Sequence, residues 1–338
     1  MIECIKKLCE ASGAGGHDDI VRVICEELRP YADDIKVDAL GNVCAIRHCG
    51  KANAPLVMLE AHMDEIGFMV THVDNGGFVH VANCGGIDRR VLAATEVVFL
   101  TDPPINGVFC STPPHLSDGE NKVKKLEDMG VDVGLLPTEA QDRIPKGTRG
   151  VFRANFMRLG EYGVCVKALD DRIGCASVIE AMRLLADRDI SVDVAAVFAV
   201  QEEIGGAGAV VASFALKPSA AIATDVSFAS TPDAPPHKCG KLGAGPMLGM
   251  APGLDRTLTA RLKSIAEEKE IALQFEVMGG STGTDADGIA GTACGVPTAL
   301  LSIPQRYMHT PVEVVDVRDA QSVARLMAGF TEGGVAVC

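Results

Sequence analysis

The chain has 338 residues, long for a single domain, and its 47% hydrophobic and 22% charged residues suit a protein with a sizeable core. A net charge of -14 opposes binding to a nucleic-acid backbone or to an anionic membrane surface. With no Trp and only 4% aromatic residues, the core has to be built from Val, Ile, Leu, Ala and Met.

In chain order, two helices come first. In the second, DDIVRVICEELRPYA, the residues Ile20, Val21, Ile24 and Leu28 recur at helical spacing. IKVDALGNVCAIRH alternates and turns at Gly41-Asn42, a hairpin signal. PLVMLEAHMD is a continuous apolar run of the kind buried on both faces of a helix-flanked sheet. From Gly67 to Gly160 the texture changes to short alternating runs, such as GFVHVAN and INGVFC, separated by Gly, Pro, Asn and Asp. KVKKLEDMG is the one stretch there of helical character, so a small β-rich domain or barrel is predicted. Helices and apolar strands then alternate again, from DDRIGCASVIEAMRLLADR through VDVAAVFAV, GAGAVVASFAL, SAAIATDV, RTLTARLKSIAEEKE, IALQFEV, TDADGIAGTA and VPTALLSIP to VRDAQSVARLMAGF. The expected fold class is α/β, a mixed central sheet flanked by helices with an inserted small β-barrel-like domain. The boundaries place the α/β part at 1–66 and 161–338 and the insertion at 67–160.

Twelve cysteines run from Cys4 to Cys338 with no pair at zinc-ribbon spacing, and Cys25, Cys175 and Cys294 sit among apolar residues as small hydrophobes. So many unpaired thiols suit a reducing compartment. The start, MIECIKKLCEASG, is amphipathic and acid-containing, not a basic stretch followed by an apolar core, and no apolar run reaches membrane-spanning length. A cytoplasmic location is expected, with neither nucleic acid nor membrane as partner.

Ligands of open α/β sheets gather at the carboxyl ends of the strands. Here PLVMLEAHMD ends in His62 and Asp64, GVCVKALDD in Asp170 and Asp171, and VAAVFAVQEE in Glu202 and Glu203. SAAIATD ends in Asp225, and VPTALLSIPQRYMH leads to His309. Each alone has an ordinary account: a surface pair, an N-cap with a first-turn acid, a solvated strand end. Together, so many ionisable groups behind apolar strands would be destabilising unless paired or metal-bound. Histidine with carboxylate suits Zn²⁺, Co²⁺ or Mn²⁺ better than Ca²⁺ or a thiolate site. The set is too large for one open catalytic zinc and suits two metals sharing a bridging carboxylate.

AHMDEIG, KALDDRIG, QEEIGGAGA, ATDVS, GTDADGI and PQRYMHTPVEVVD, in this order, resemble the motifs of the dinuclear-metal aminopeptidases of peptidase family M42, the glutamyl and tetrahedral-assembly aminopeptidases of the metallopeptidase MH clan. The resemblance covers nearly the whole chain. It implies an aminopeptidase that removes N-terminal residues from short peptides with a free N-terminus, by attack of a metal-activated hydroxide. It implies two divalent ions per chain, Zn²⁺ first, with Co²⁺ or Mn²⁺ as alternatives. Carried over by residue, His62 and Asp225 resemble ligands of one ion, Glu203 and His309 those of the second, and Asp170 the bridge between them, before a peptide bond that is often cis. Glu202 resembles the general base, and Asp64 the acid that holds the His62 imidazole in its metal-binding tautomer. Asp171 keeps its reading as a helix-start acid. Gly205 and Gly206 would let substrate backbone approach the base. HLSDGENKVKKLEDMGVDVG resembles the family's dimerisation domain, which implies a homo-oligomer, dimer or dodecamer. Within 226–256 the family's Gly-Pro is kept, but MLGMAPG lacks the polar and acidic character of the family there.

His17, His48, His72, His80, His115 and His237 match no ligand position and read as structural or surface residues. Two other reactions use related groups: a metal-dependent deacylase or carboxypeptidase-type amidohydrolase, and an endoglucanase built on paired carboxylates. The second leaves His62, His309 and Asp225 without a role.

Overall fold

A computed structural model describes residues 1–14, 18–116 and 123–334. His17, part of the segment HLSDGENKVKKLEDMGVDVG, and Cys338 lie outside the described residues. The chain opens with α1 (Ile2–Glu10) and α2 (Asp18–Leu28), then the hairpin β1 (Asp34–Val37) and β2 (Val43–Arg47). The Asp38 carboxylate closes that hairpin by accepting the amides of Leu40, Gly41 and Asn42. The buried strand β3 (Leu56–His62) follows.

Six strands then close into a barrel in the order β4-β5-β8-β7-β6-β9. They are β4 (Gly67–Val73), β5 (Val79–Cys84), β6 (Glu96–Phe99), β7 (Ile105–Phe109), β8 (Gly130–Asp132) and β9 (Arg149–Phe152). Alternation fills the barrel from one face of each strand: Phe68 and Val70, Val79 and Val81, Val97 and Phe99, Ile105 and Phe109. The expected helix over KVKKLEDMG shrinks to a 3₁₀ turn at Leu126–Asp128, because the chain must extend at once into β8. The barrel's α-helix is α3 (Pro137–Arg143), with proline in its first turn, where the missing N–H costs nothing.

Return to the α/β part brings β10 (Met157–Leu159), β11 (Gly163–Val166), α4 (Leu169–Leu185), β12 (Asp193–Ala199), α5 (Ala207–Leu216) and β13 (Ala220–Phe228). There follow β14 (Met247–Met250), α6 (Arg256–Glu268), β15 (Gln274–Val277), α7 (Asp285–Ala290), β16 (Thr298–Arg306), β17 (Glu313–Asp316) and α8 (Val317–Glu332). The sheet runs β1-β2-β12-β3-β13-β16-β17-β11-β10, with β14 beside β16 and β15 beside β14. Its centre, β12, β3, β13 and β16, is parallel. β11 is antiparallel to β17, which is antiparallel to β16, so β11 points the same way as the parallel strands. The carboxyl ends that carry the candidate residues therefore share one edge.

Alternation also separates two cores. Val57, Leu59 and Ala61 of β3 and Val194, Ala196 and Phe198 of β12 join the larger cluster with residues of α1, α2, α4, α6 and α8. Met58 of β3 and Ala195, Val197 and Ala199 of β12 face the other way, onto Ala209, Ala212, Ala286 and Ile289 of α5 and α7. His62 is two residues beyond Glu60 and four beyond Met58, so it shares this thinner, alanine-rich side. At the exit from β3, Glu65 is fully enclosed: Lys167 Nζ lies 2.6 Å from it, Arg172 3.6 Å, and the Gly13 amide donates to it at 2.9 Å. This ion triad ties the N-terminal segment, the entrance to the barrel and the approach to α4 at one point.

Candidate metal centre

The strand-edge residues meet in one acidic pocket. His62 ends β3, and its Nε2 lies 3.1 Å from Asp170 Oδ1, 3.8 Å from Asp225 Oδ1 and 4.0 Å from Glu202 Oε2. His309 follows β16 in a turn with φ of 61°, and its Nε2 is 3.4 Å from both Asp170 Oδ2 and Glu203 Oε2. Asp170 thus offers one oxygen to each histidine. Asp64 Oδ1 accepts the Glu202 amide at 3.1 Å and stands 3.6 Å from His62 Nδ1. All seven residues singled out in the sequence are brought together.

Two details of placement differ from expectation. Asp225 is not a strand end: β13 continues past it to Phe228, and Asp225 lies inside the strand, facing His62 across the pocket. Glu202 and Glu203 are not on β12, which stops at Ala199. They sit in a turn begun by Gln201 at φ 65° and closed by the Gly205 and Gly206 amides on the carbonyls of Glu202 and Gln201. The glycine pair thus has a local job, since Gly205 and Gly206 both take positive φ there. The peptide bond between Asp170 and Asp171 is cis.

Sequence reasoning passed over three buried acids around the site. Glu313 accepts the amide of Asp170 on one oxygen at 3.0 Å and that of His309 on the other at 2.9 Å, so one carboxylate fixes the backbone at two of the candidate ligands. Its one sequence signal is the acid of PVEVVD, four residues after His309. Glu60 and Asp285 lie beneath the site with all four carboxylate oxygens buried and without partners. Asp171, read as a helix-start acid, does accept the Gly174 amide, but its other oxygen is buried, unpartnered and close to His62 and Asp225.

The donor set fits divalent cations. Two triads, His62 with Asp171 and Asp225 and His62 with Asp170 and Glu203, each bring their ligand atoms within 4.8 Å of one another. His62 Nδ1, Asp64 Oδ2 and Glu203 Oε1 are buried without a hydrogen-bond partner. Electrostatics point the same way. Burial, with the Asp170 charge next, pushes Glu203 up to about 10. Burial and neighbouring acids likewise push Asp225 and Asp171 well above the carboxylate range. Burial alone would lower the His62 pKa, but Asp170, Asp64, Asp225 and Glu202 raise it well above its ordinary value. Burial likewise opposes ionisation of Asp170, yet His309 and His62 hold it low. A cluster that must take up protons to be tolerated when alone is one that cations relieve.

The other described histidines belong to neither of these triads. His48 pairs with Asp34 and Asp193 at the surface, and His72 stacks on His80 on the barrel at 4.5 Å between ring centroids. The barrel itself reaches the site through Gly85 and Gly86. A β-carbon added at Gly85 would lie 3.1 Å from Glu203 Oε2, and one at Gly86 2.9 Å from His309 Nδ1.

Comparison with known proteins shows the family. Residues 41–326 match the family model of the M42 glutamyl aminopeptidases. The lysyl aminopeptidase of Pyrococcus furiosus is 39% identical over 338 residues, covering 98% of this chain and 96% of that protein. Among solved structures, the aminopeptidase APDkam598 of the archaeon Desulfurococcus kamchatkensis is 34% identical with a TM-score of 0.92, covering 98% of this chain and 94% of its own. The TET1 peptidase of Pyrococcus horikoshii, which can assemble into a tetrahedron or a large octahedral shell, is 31% identical with a TM-score of 0.86 and 98% coverage of both chains. With fold, acidic pocket and relatives in agreement over nearly its whole length, the chain belongs to the M42 aminopeptidase family and is a peptidase hydrolase.

Proposed function

We propose that this protein is a dinuclear metal-dependent aminopeptidase that releases N-terminal residues from short peptides with a free N-terminus. The observation that carries this reading is Asp170, whose two oxygens face two different histidines. His62, Asp170 and Asp225 would hold one ion, and Asp170, Glu203 and His309 the other. Zn²⁺ is the first assignment for such a His/carboxylate set, with Co²⁺ and Mn²⁺ as alternatives. When bound, such ions supply Lewis-acid polarisation of the scissile carbonyl and acidify water at the site.

The protein's own groups do the rest. Glu202 takes the proton of the attacking water on its carboxylate and delivers it to the leaving amine. Its environment suits a base: burial raises its pKa, with His62 opposing and Asp170 adding to the rise. Asp64 accepts the Glu202 amide and stands 3.6 Å from His62 Nδ1, on the side from which an acid would orient the ring. Asp170, Glu203 and Asp225 also present carboxylates to the free α-amino group of a substrate, which favours exopeptidase action.

The family description and the Pyrococcus furiosus relative name different first residues, glutamyl in one and lysyl in the other. We take the barrel of β4 to β9, which ends at Phe152 within the expected 67–160, as an inserted domain that serves self-assembly, and a homo-oligomer, dimer or dodecamer, as the working form. Every cysteine among the described residues is free, which supports a cytoplasmic setting, and among those residues no helix is long and apolar enough to cross a membrane. The test is hydrolysis of peptides with free and with acetylated N-termini, alongside elemental analysis. Metal-dependent cleavage of the free peptides alone is expected, and activity confined to the blocked peptides would overturn the reading in favour of a deacylase.

A further inference from the structure

The metal centre opens into a cleft of about 340 Å³ that holds one acid not explained by the chemistry. Glu276, on β15, lines this cleft with Asp170, Glu202, Glu203 and Asp225. It is held by Ser227, whose hydroxyl donates to one of its oxygens. No lysine or arginine lines the cleft, and among the described residues no cation pairs with Glu276. Ser227 is two residues beyond Asp225 on β13, so the two share a face of the strand about 7 Å apart. The Ser227–Glu276 pair therefore stands one side-chain length from the metal-centre carboxylates. Leu300, Met308 and Phe228 give the cleft its apolar part, beside the hydroxyl side chains of Thr282, Thr284 and Ser302.

A cleft that combines apolar residues with an acid lacking a cation matches a side chain with a hydrocarbon stem and a cationic head. We propose that Glu276, positioned by Ser227, is the specificity determinant of the cleft and selects peptides that begin with lysine or arginine. This rests on the aminopeptidase reading, which places the substrate's α-amino group at the metal centre and its first side chain in the cleft. The four-carbon stem of lysine then spans the step from Asp225 to Ser227 and brings its ammonium to Glu276. A first-residue glutamate would meet Glu276 with a like charge and no counterion. Leucine would fill the apolar part and leave the acid unpaired.

The experiment uses the metal-loaded enzyme in two arms. In the first, calorimetry compares binding of L-lysine and L-norleucine, which share a stem and differ in the ammonium. Lysine is expected to bind about 10-fold or more tightly, and Glu276→Gln to erase the difference. In the second, aminoacyl-coumarin substrates give the ratio of kcat/KM for Lys over Leu. Glu276→Gln is expected to lower that ratio by about 10- to 100-fold, Glu276→Asp to keep part of it, and Glu276→Lys to turn the preference toward Glu.

Equal binding of lysine and norleucine, or a Lys/Leu ratio that survives Glu276→Gln, overturns the proposal while leaving the aminopeptidase reading intact. Conversely, a wild-type enzyme that cleaves no aminoacyl substrate, yet prefers lysine to norleucine through Glu276, removes that reading and keeps the cleft's selectivity. If Glu276→Gln does not fold, the wild-type lysine–norleucine comparison and Glu276→Asp decide the matter.

Discussion

Replacing each of the adjacent acids by its amide separates proton transfer from metal binding. Glu202→Gln preserves shape and volume and removes the carboxylate proposed as the base. Glu202 Oε2 is 4.0 Å from His62 Nε2, and its side chain is 18% exposed, so it borders the pocket with access to water. Loss of a general base costs about 10²- to 10⁴-fold in kcat, or about 3–5 kcal/mol of barrier. The contacts of His62 with Asp170 and Asp225, and of His309 with Asp170 and Glu203, do not run through Glu202, so metal content should stay at about two ions per chain. Glu203→Gln should behave differently. Glu203 Oε2 stands 3.4 Å from His309 Nε2 and its Oε1 is buried without a partner, so an amide there puts an NH₂ group where a ligand oxygen is needed. That variant should lose about one ion per chain on gel filtration and lose activity with it. The assay is kcat and KM on an aminoacyl substrate together with elemental analysis of the same samples. Near-normal turnover of fully loaded Glu202→Gln, or equal metal loss from both variants, would refute the division of roles.

Other consequences can be checked directly. Asp285 has a folded pKa raised by burial from 3.8 to about 7, and Glu203 one raised from 4.5 to about 10, so each favours folding while protonated. That stability is complete below the unfolded values and is lost as pH climbs through the folded ones, so chelator-treated protein should lose Tm from pH 5 toward 8. Metal-loaded protein should not follow, and identical slopes with and without chelator would contradict the link. Lys167→Met leaves the buried Glu65 carboxylate with the Gly13 amide at 2.9 Å and Arg172 at 3.6 Å, without its close ion-pair partner, and should cost about 3–5 kcal/mol in urea unfolding. Pairing it with Glu65→Gln should restore much of the loss, and strict additivity would show that the pair is not coupled. Gly86→Ala sets a β-carbon 2.9 Å from His309 Nδ1 and should reduce metal retention and activity. Gly253→Ala, where the added carbon meets nothing within 4 Å, is its control, and equal effects would mean that the barrel loop does not bear on the ligand.

Much of the site was readable because its location follows from strand direction alone. Apolar runs identify β3, β12, β13 and β16 as buried strands, buried strands of alternating α/β units are parallel, and parallel strands deliver their carboxyl ends to one edge. The ligand types at those ends then restrict the chemistry. The closed barrel was readable for a related reason, since period-two alternation without helical runs leaves few other ways to bury one face. What escaped was set by partners distant in sequence. Glu313 has its meaning only because two amides, those of Asp170 and His309, converge on it from 143 and 4 residues away. Glu60 is a single acid in an apolar run, and nothing local says that Asp285 lies buried near it. Glu276 looks like an outward position of an edge strand until its partner Ser227 is known.

The adjacent acids owe their placement to a turn and not to strand alternation. Alternation along a strand would send Glu202 and Glu203 to opposite faces of the sheet, one toward each core, and only one could then serve a site at the sheet edge. A turn is what the chemistry requires. With Gln201 at φ 65° and the Gly205 and Gly206 amides folding back, both carboxylates stay at the same edge yet diverge, Glu202 toward His62 and Glu203 toward His309. The glycines after QEE are therefore part of how two neighbouring acids reach different partners. Their first demand is conformational, from this backbone, whatever room they also leave for a substrate. Replacing Gly206 by alanine tests that order of causes: its φ of 72° and an Asp285 oxygen 3.2 Å from the new β-carbon predict that the turn shifts. Metal retention and base catalysis should then fall together, whereas a substrate-clearance role alone would raise KM and leave metal content untouched.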